Sequence, residues 1–292
     1  MIFVSSGGVR DQVASKTALD FYNHGIMNVE LSGGSYSENY HADLLNLPNE
    51  ITLQLHNYFP PAKNPFVFNL ASVDPETAEL SINHVRKAMD LGLALGNSTY
   101  SFHAGFRIDP KICDLGQKLS KSTILDRNIA LELFSERVCL LAEEAKDLGV
   151  TLLIENNVLN AANLLVYGED PLLFTHPDEI ADFMSQAPSN VNLLLDVAHL
   201  KVSSNSLKFN LIDAHEKLTP WIKAYHLSDN DGTQDSNNPV HEASWFWPYL
   251  REEKLFYTLE IYNISHLNLL MQYHLVNKKL FGDKIGSETM KL

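Results

Sequence analysis

Short apolar runs alternate along the chain with longer segments in which apolar residues recur three and four positions apart. Eight runs stand out: "MIFVSS" (1–6), "NVELSG" (28–33), "TLQLHN" (52–57), "TYSFHAG" (99–105), "TLLIEN" (151–156), "NLLLDV" (192–197), "KAYHLSD" (223–229) and "YTLEIY" (257–262). Their length, and the absence of strict alternation, predict strands covered on both faces, as in a parallel sheet. The spacing predicts helices over 74–96, 126–149, 176–186, 206–218 and about 265–280. Pro75 suits a first helical turn, Asp126 a cap and Gly149 a terminator. Strand and helix alternate without a linker or low-complexity break. Eight such units in 292 residues predict the α/β class and a single-domain (β/α)8 TIM barrel over 1–281, followed by a polar tail at 282–292. An open doubly wound sheet fits less well, because the strand count is eight and the glycine-rich phosphate turn is missing.

Six consecutive runs, the third to the eighth, close on a polar residue: His56, His103, Glu155, Asp196, His226 and Glu260. A barrel gathers the C-terminal ends of its strands at one mouth, so these side chains are expected to converge there. A lone histidine or acid at a strand end is usually a packed or solvated group. Their recurrence in chain order is what points to a site. Oxygen and nitrogen donors without thiolate suit Zn, Mn, Fe, Co or Mg ions and disfavour copper(I) or iron–sulfur chemistry. Asn156 and Asn157 are placed to orient such ligands. His24, His41, His84, His176, His215, His266 and His274 lie on or beside predicted helices and read as surface residues.

Composition narrows the partners. Apolar residues make up 45 % and charged residues 20 % of the chain, as in an ordinary globular enzyme, while a net charge of −14 argues against a nucleic acid held through its phosphates. Cys113 and Cys139 have no metal-type spacing, which fits a reducing compartment. The opening "MIFVSSGG" lacks a basic region and a long apolar core, and no run could span a bilayer. A cytoplasmic protein without a membrane partner is the expectation.

"IEN" with Glu155, "LLLDVAH" with Asp196 and His199, "YHLSDNDG" with His226 and "LEIY" with Glu260 resemble the xylose-isomerase-like barrel superfamily over essentially the whole chain. That superfamily contains sugar and sugar-phosphate isomerases and epimerases, and the endonuclease IV proteins of AP endonuclease family 2. The resemblance implies a divalent metal held by Glu155, Asp196, His226 and Glu260, with Glu155 and Glu260 also the catalytic acid/base pair. It implies that His56, His103 and His199 contact substrate or a second metal. Homo-oligomers are common among such barrels. The nuclease branch pairs the histidine of its Asp-x-x-His with a later Asp-x-His; here Asp235 is followed two residues on by Asn237, so a third metal is not expected.

The expected activity is metal-assisted isomerisation or epimerisation of a small polyhydroxylated substrate, a sugar or sugar phosphate. One glutamate would remove a carbon-bound proton to give an enediolate and the other would return one. A dehydratase would share the first step. The rivals are an endonuclease IV-like phosphodiesterase acting on DNA and a non-catalytic binding barrel. Lys63, Arg107, Lys201, Asp229 and Asp235 are possible substrate contacts, against a plainer reading as solvated charges. Three long connections, 57–74, 104–121 and 157–175, could roof the mouth. The first carries Tyr58, Phe59, Phe66 and Phe68, and the second Lys111 beside Arg107.

Overall fold

A computed structural model describes residues 1–114 and 119–282. The eight expected strands are present as β1 (Ile2–Ser5), β2 (Asn28–Leu31), β3 (Thr52–His56), β4 (Thr99–His103), β5 (Thr151–Glu155), β6 (Val191–Asp196), β7 (Ile222–Leu227) and β8 (Phe256–Leu259). All neighbours pair in parallel, and β8 pairs with β1 to close the barrel. The helices are α1 (Ala14–Asn23), α2 (Tyr40–Leu45), α3 (Pro75–Ala94), α4 (Arg127–Asp147), α5 (Ala161–Tyr167), α6 (Pro177–Met184), α7 (Val197–Leu207), α8 (Leu211–Leu218) and α9 (His266–Phe281). The fold is a single-domain (β/α)8 TIM barrel. Of the tail expected at 282–292, all but Gly282 lies outside the described residues. No helix among the described residues is long and apolar enough to cross a membrane.

Local chemistry sets the helix starts. Asp74 caps α3 by accepting from the Thr77 backbone N–H at 2.8 Å, with Pro75 in the first turn, and Asp126 caps α4 through the N–H groups of Asn128 and Ile129. The helix expected over 206–218 is two helices. Lys208 takes a left-handed conformation at φ 65° and ends α7, after which Asn210 caps α8 through the N–H groups of Ile212 and Asp213. The start of α7 lies well before the expected helix, because Asp196 at the end of β6 is itself the cap: its Oδ1 accepts from the His199 N–H at 2.6 Å. The connection 157–175 contains α5, capped by Asn160.

Two-residue periodicity sorts every strand. One set, including Ile2, Val4, Leu152, Ile154, Leu193, Leu195, Tyr225 and Tyr257, belongs to the large core shared with the helices. The alternate set, Phe3, Leu153, Leu194, Ala224 and Phe256, forms a separate cluster inside the barrel. Two residues further along those strands stand Ser5, Glu155, Asp196, His226 and Thr258, all buried. The barrel therefore has an apolar floor, and the next inward layer is polar. Phe59 and Phe68 are buried in the core, and Tyr58 and Phe66 pack partly buried against it, so the aromatics of 57–74 serve as rim packing.

Two of the histidines read as surface residues are buried. His84 of α3 faces inward, and its Nε2–H donates to the Asn57 carbonyl at 2.8 Å; His215 of α8 lies 3.0 Å from the Tyr225 hydroxyl. The helical periodicity placed them near apolar neighbours, but a tip that can donate to a buried acceptor was not visible in it. Burial pushes the His84 imidazole down to about 4, against the pull of its hydrogen bond to Asn57. A group depressed in this way stays neutral in the fold while the unfolded chain takes up a proton near its ordinary 6.5. Stability is therefore expected to fall as pH drops from about 6.5 to about 4, by of the order of 2–3 kcal/mol for this residue. Urea unfolding across that window checks it: His84→Gln should show a shallower acid loss than the wild type.

Candidate metal centre

Glu155 ends β5 fully buried, and four histidines surround its carboxylate. Its Oε2 lies 3.1 Å from His56 Nε2 and 3.4 Å from His103 Nε2. Its Oε1 lies 3.2 Å from His226 Nδ1 and 3.5 Å from His199 Nδ1. Glu260, the residue after β8, brings Oε2 to 3.2 Å from the same His226 Nδ1. One donor atom from each of Glu155, Asp196, His226 and Glu260 falls within 4.8 Å of all the others, and the same holds for His56, His103 and Glu155. All six strand-end residues thus meet at one mouth. Register does the work: Asp196 stands beside His226 on β6 and β7, and His103 beside Glu155 on β4 and β5.

The fit to a cation can be judged from the partners these atoms lack. Both carboxylate oxygens of Glu155, Oδ2 of Asp196 and Nδ1 of His226 are buried without a hydrogen bond. Unpaired buried polar atoms are costly, and these four converge. Three carboxylates and one imidazole, whose Nδ1 would give up its proton to a cation, suit a divalent ion.

Carboxylates and imidazoles shift one another within the cluster. Burial would raise the Glu155 carboxyl, but His103, His226 and His56 outweigh it and hold it well below the usual range. Burial would lower His226, but Glu30, Glu155 and Glu260 hold it well above its ordinary value. Burial also raises Asp196, to about 7, helped by the neighbouring carboxylates and opposed by His199. His103 is pushed down to about 4 by its burial.

Around this centre the structure adds residues that the strand-end pattern did not single out. Glu30 of β2 is fully buried, and its Oε1 lies 3.1 Å from His226 Nε2. Thr258 donates its hydroxyl to the other Glu30 oxygen at 2.9 Å. Glu30 was missed because it sits within its strand instead of at the end. The signal existed in "NVELSG", where Asn28, Glu30 and Ser32 alternate with Val29 and Leu31. Tyr262 donates its hydroxyl to Glu260 Oε1 at 2.5 Å. Its ring lies against Gly7 and Gly8, where an added Cβ would come within 2.2 and 2.8 Å of the tyrosine side chain. Gly7 and Gly8, just after β1, are thus a bed for this tyrosine.

Asn156 brackets Asp196, accepting from its N–H at 2.8 Å and donating to its carbonyl at 3.1 Å. Asn157 donates to the carbonyls of Ala104, Gly105 and Leu173, and so pins the β4 and β5 ends. His199 donates through Nδ1 to the Asn156 carbonyl, and its Nε2 lies 3.2 Å from Asp235. Asp235 is therefore at the centre. The other expected contacts are engaged elsewhere. Arg107 is buried, bonded to the carbonyls of Leu125 and Asp170 and paired with Glu169 at 2.8 Å. Lys201 pairs with Asp229 at 2.7 Å, and Asp229 also accepts from Ser244. Lys63 pairs with Glu38 in the solvent.

Comparison with known proteins bears on the whole barrel. The structure is similar to the crystal structure of a D-tagatose 3-epimerase-like protein, with a TM-score of 0.69, 18% identity, and coverage of 95% of this chain and 98% of that one. A Thermus thermophilus protein soaked with ZnCl2 gives 0.61 and 19% over 95% and 98% of the two chains. AP endonuclease family 2 from Brucella melitensis gives 0.53 and 16% over 94% and 88%. Identities this low carry the fold alone. No curated protein matches the sequence. The family profile described as xylose isomerase-like TIM barrel matches residues 30–260, from Glu30 to Glu260. The chain belongs to the xylose isomerase-like TIM barrel family.

Proposed function

We propose that this protein is a divalent-metal-dependent isomerase or epimerase of a small sugar. The observation that carries the reading is the placement of two glutamates, Glu155 and Glu260, each 3.2 Å from one imidazole nitrogen, beside buried atoms of Glu155, Asp196 and His226 that lack hydrogen bonds. Glu155, Asp196, His226 and Glu260 would hold the cation. When bound, the cation supplies Lewis acidity toward a carbonyl and its neighbouring hydroxyl oxygen, which makes the adjoining carbon-bound proton removable.

The chain's own groups do the rest. One glutamate takes the proton from the carbon beside the carbonyl, and the electron pair moves to the carbonyl oxygen to give an enediolate. The second glutamate delivers a proton to the opposite face, giving the epimer, or to the adjacent carbon while the hydroxyl proton passes to the former carbonyl oxygen, giving the isomer. Tyr262 holds Glu260 in position. Its loss as Tyr262→Phe is expected to lower kcat/KM about 10- to 100-fold, the scale of one hydrogen bond to a charged group, while bound metal stays unchanged. Steady-state kinetics beside elemental analysis check this. Arg107, Lys201 and Lys63 are each paired with a carboxylate, which favours an uncharged ketose over a sugar phosphate.

A second reading, phosphodiester hydrolysis, draws on the His56, His103 and Glu155 group, since Glu155 could then be shared between two cations. The net charge of −14 and Asn237 in place of a histidine weigh against it. The deciding experiment incubates metal-loaded protein in D2O with a panel of ketoses and their phosphates. Deuterium at one substrate carbon, appearing with the epimer or isomer, is expected for an unphosphorylated ketose. Nicking of abasic DNA without any exchange would replace this reading with the nuclease.

A further inference from the structure

On the outside of the barrel, α1 and α9 bring together three donors that the central site does not use. Asp20 and His24 lie one helical turn apart at the end of α1, and His266 is the first residue of α9. Asp20 Oδ2 is 3.2 Å from His266 Nε2, and Asp20 Oδ1 is 3.5 Å from His24 Nδ1. The two imidazole rings lie 4.1 Å apart at 32°. One donor atom from each residue falls within 4.8 Å of the other two.

We propose that Asp20, His24 and His266 form an outer zinc-class cation site that ties the first helix of the barrel to the last. Three features carry it beyond a chance meeting of polar side chains. His24 Nδ1 donates to the Asp20 carbonyl at 2.8 Å, which orients the ring as ligating imidazoles are commonly oriented by a backbone acceptor. The His266 ring packs edge-on against Phe21 at 5.6 Å, so its direction is set by the core. The donor set, two imidazoles and one carboxylate, suits zinc and its first-row neighbours and is poor for magnesium or calcium. Asp20 and His24 are about half exposed and His266 about a third, so water can complete the coordination.

The position gives the site a purpose. Strands β1 and β8 pair without a crossover of their own, because they are the two ends of the barrel, and α9 packs against β1. A cation held between α1 and α9 would reinforce that seam from outside. Ligand bound only by the folded state stabilises it by mass action.

The test uses the full chain and Zn²⁺. Equilibrium dialysis of wild type, His24→Gln/His266→Gln and Asp196→Asn/His226→Gln separates this site from the centre. The outer double variant should bind about one equivalent less than wild type, lose part of the zinc-dependent rise in Tm, and keep the wild-type circular dichroism spectrum. The central double variant should keep the outer equivalent, and His266→Asn alone should weaken it at least tenfold. Equal zinc stoichiometry and an equal Tm rise in wild type and the outer double variant would overturn the site. That outcome leaves the reading of the centre untouched, because the central variant reports on it separately.

Discussion

Glu155→Gln is expected to lower kcat/KM by at least a thousandfold and to release most of the bound metal. Glu155 supplies both oxygens to the cluster, one toward His56 and His103 and the other toward His226 and His199. The amide keeps the shape but turns one acceptor into a donor facing imidazoles and removes the charge that a dication needs. It would also deprive the proposed reaction of one of its two proton carriers, a loss of about 10²- to 10⁴-fold on its own. The fold should survive, because the substitution relieves some like-charge crowding with Asp196 and Glu260. Activity, elemental analysis and urea unfolding on the same preparation check the three parts. A variant that binds metal and turns over sugar normally would remove Glu155 from the mechanism.

Glu30→Gln is expected to weaken metal binding about 10- to 100-fold, although Glu30 is not among the four proposed ligands. The reason lies in the two faces of one ring. His226 Nδ1 points to Glu155 and Glu260, and Nε2 points to Glu30. With Nε2–H donated to a carboxylate, the ring is locked in the tautomer that presents the Nδ1 lone pair, and its basicity is raised. Glutamine can still accept that hydrogen bond but carries no charge, so orientation should be kept and basicity lost. Competition titration with a chelating dye measures the change. Histidine NMR should report an unchanged His226 tautomer in Glu30→Gln, and a mixed one in Glu30→Ala.

The strand ends were legible in the sequence because the apolar runs are short, repeat eight times and close on donors in order. The capped helices were legible where Pro75, Asp126 and Gly149 mark their ends. Helices α1 and α2 were not, since neither starts with a side-chain cap, nor was α5, which is only two turns long, and α7 was hidden because its cap is also a candidate ligand. Asp196 illustrates the limit: one oxygen starts a helix and the other is left unpaired at the centre. Neither role can be read without knowing where the next strand lies.

By itself, the order of residues determined a closed parallel barrel and which six strand ends carry donors, since both follow from local period and spacing. Only the tertiary structure decided which donors share space. Closure and stagger of the strands carry Glu30 to the far side of His226, Tyr262 onto Glu260 and Asp235 onto His199. The same packing turns Arg107 and Lys201 into structural ion pairs and swings His266 onto Asp20 across the seam. Contacts between residues far apart in the chain depend on strand register and barrel curvature, and neither is written in any local stretch.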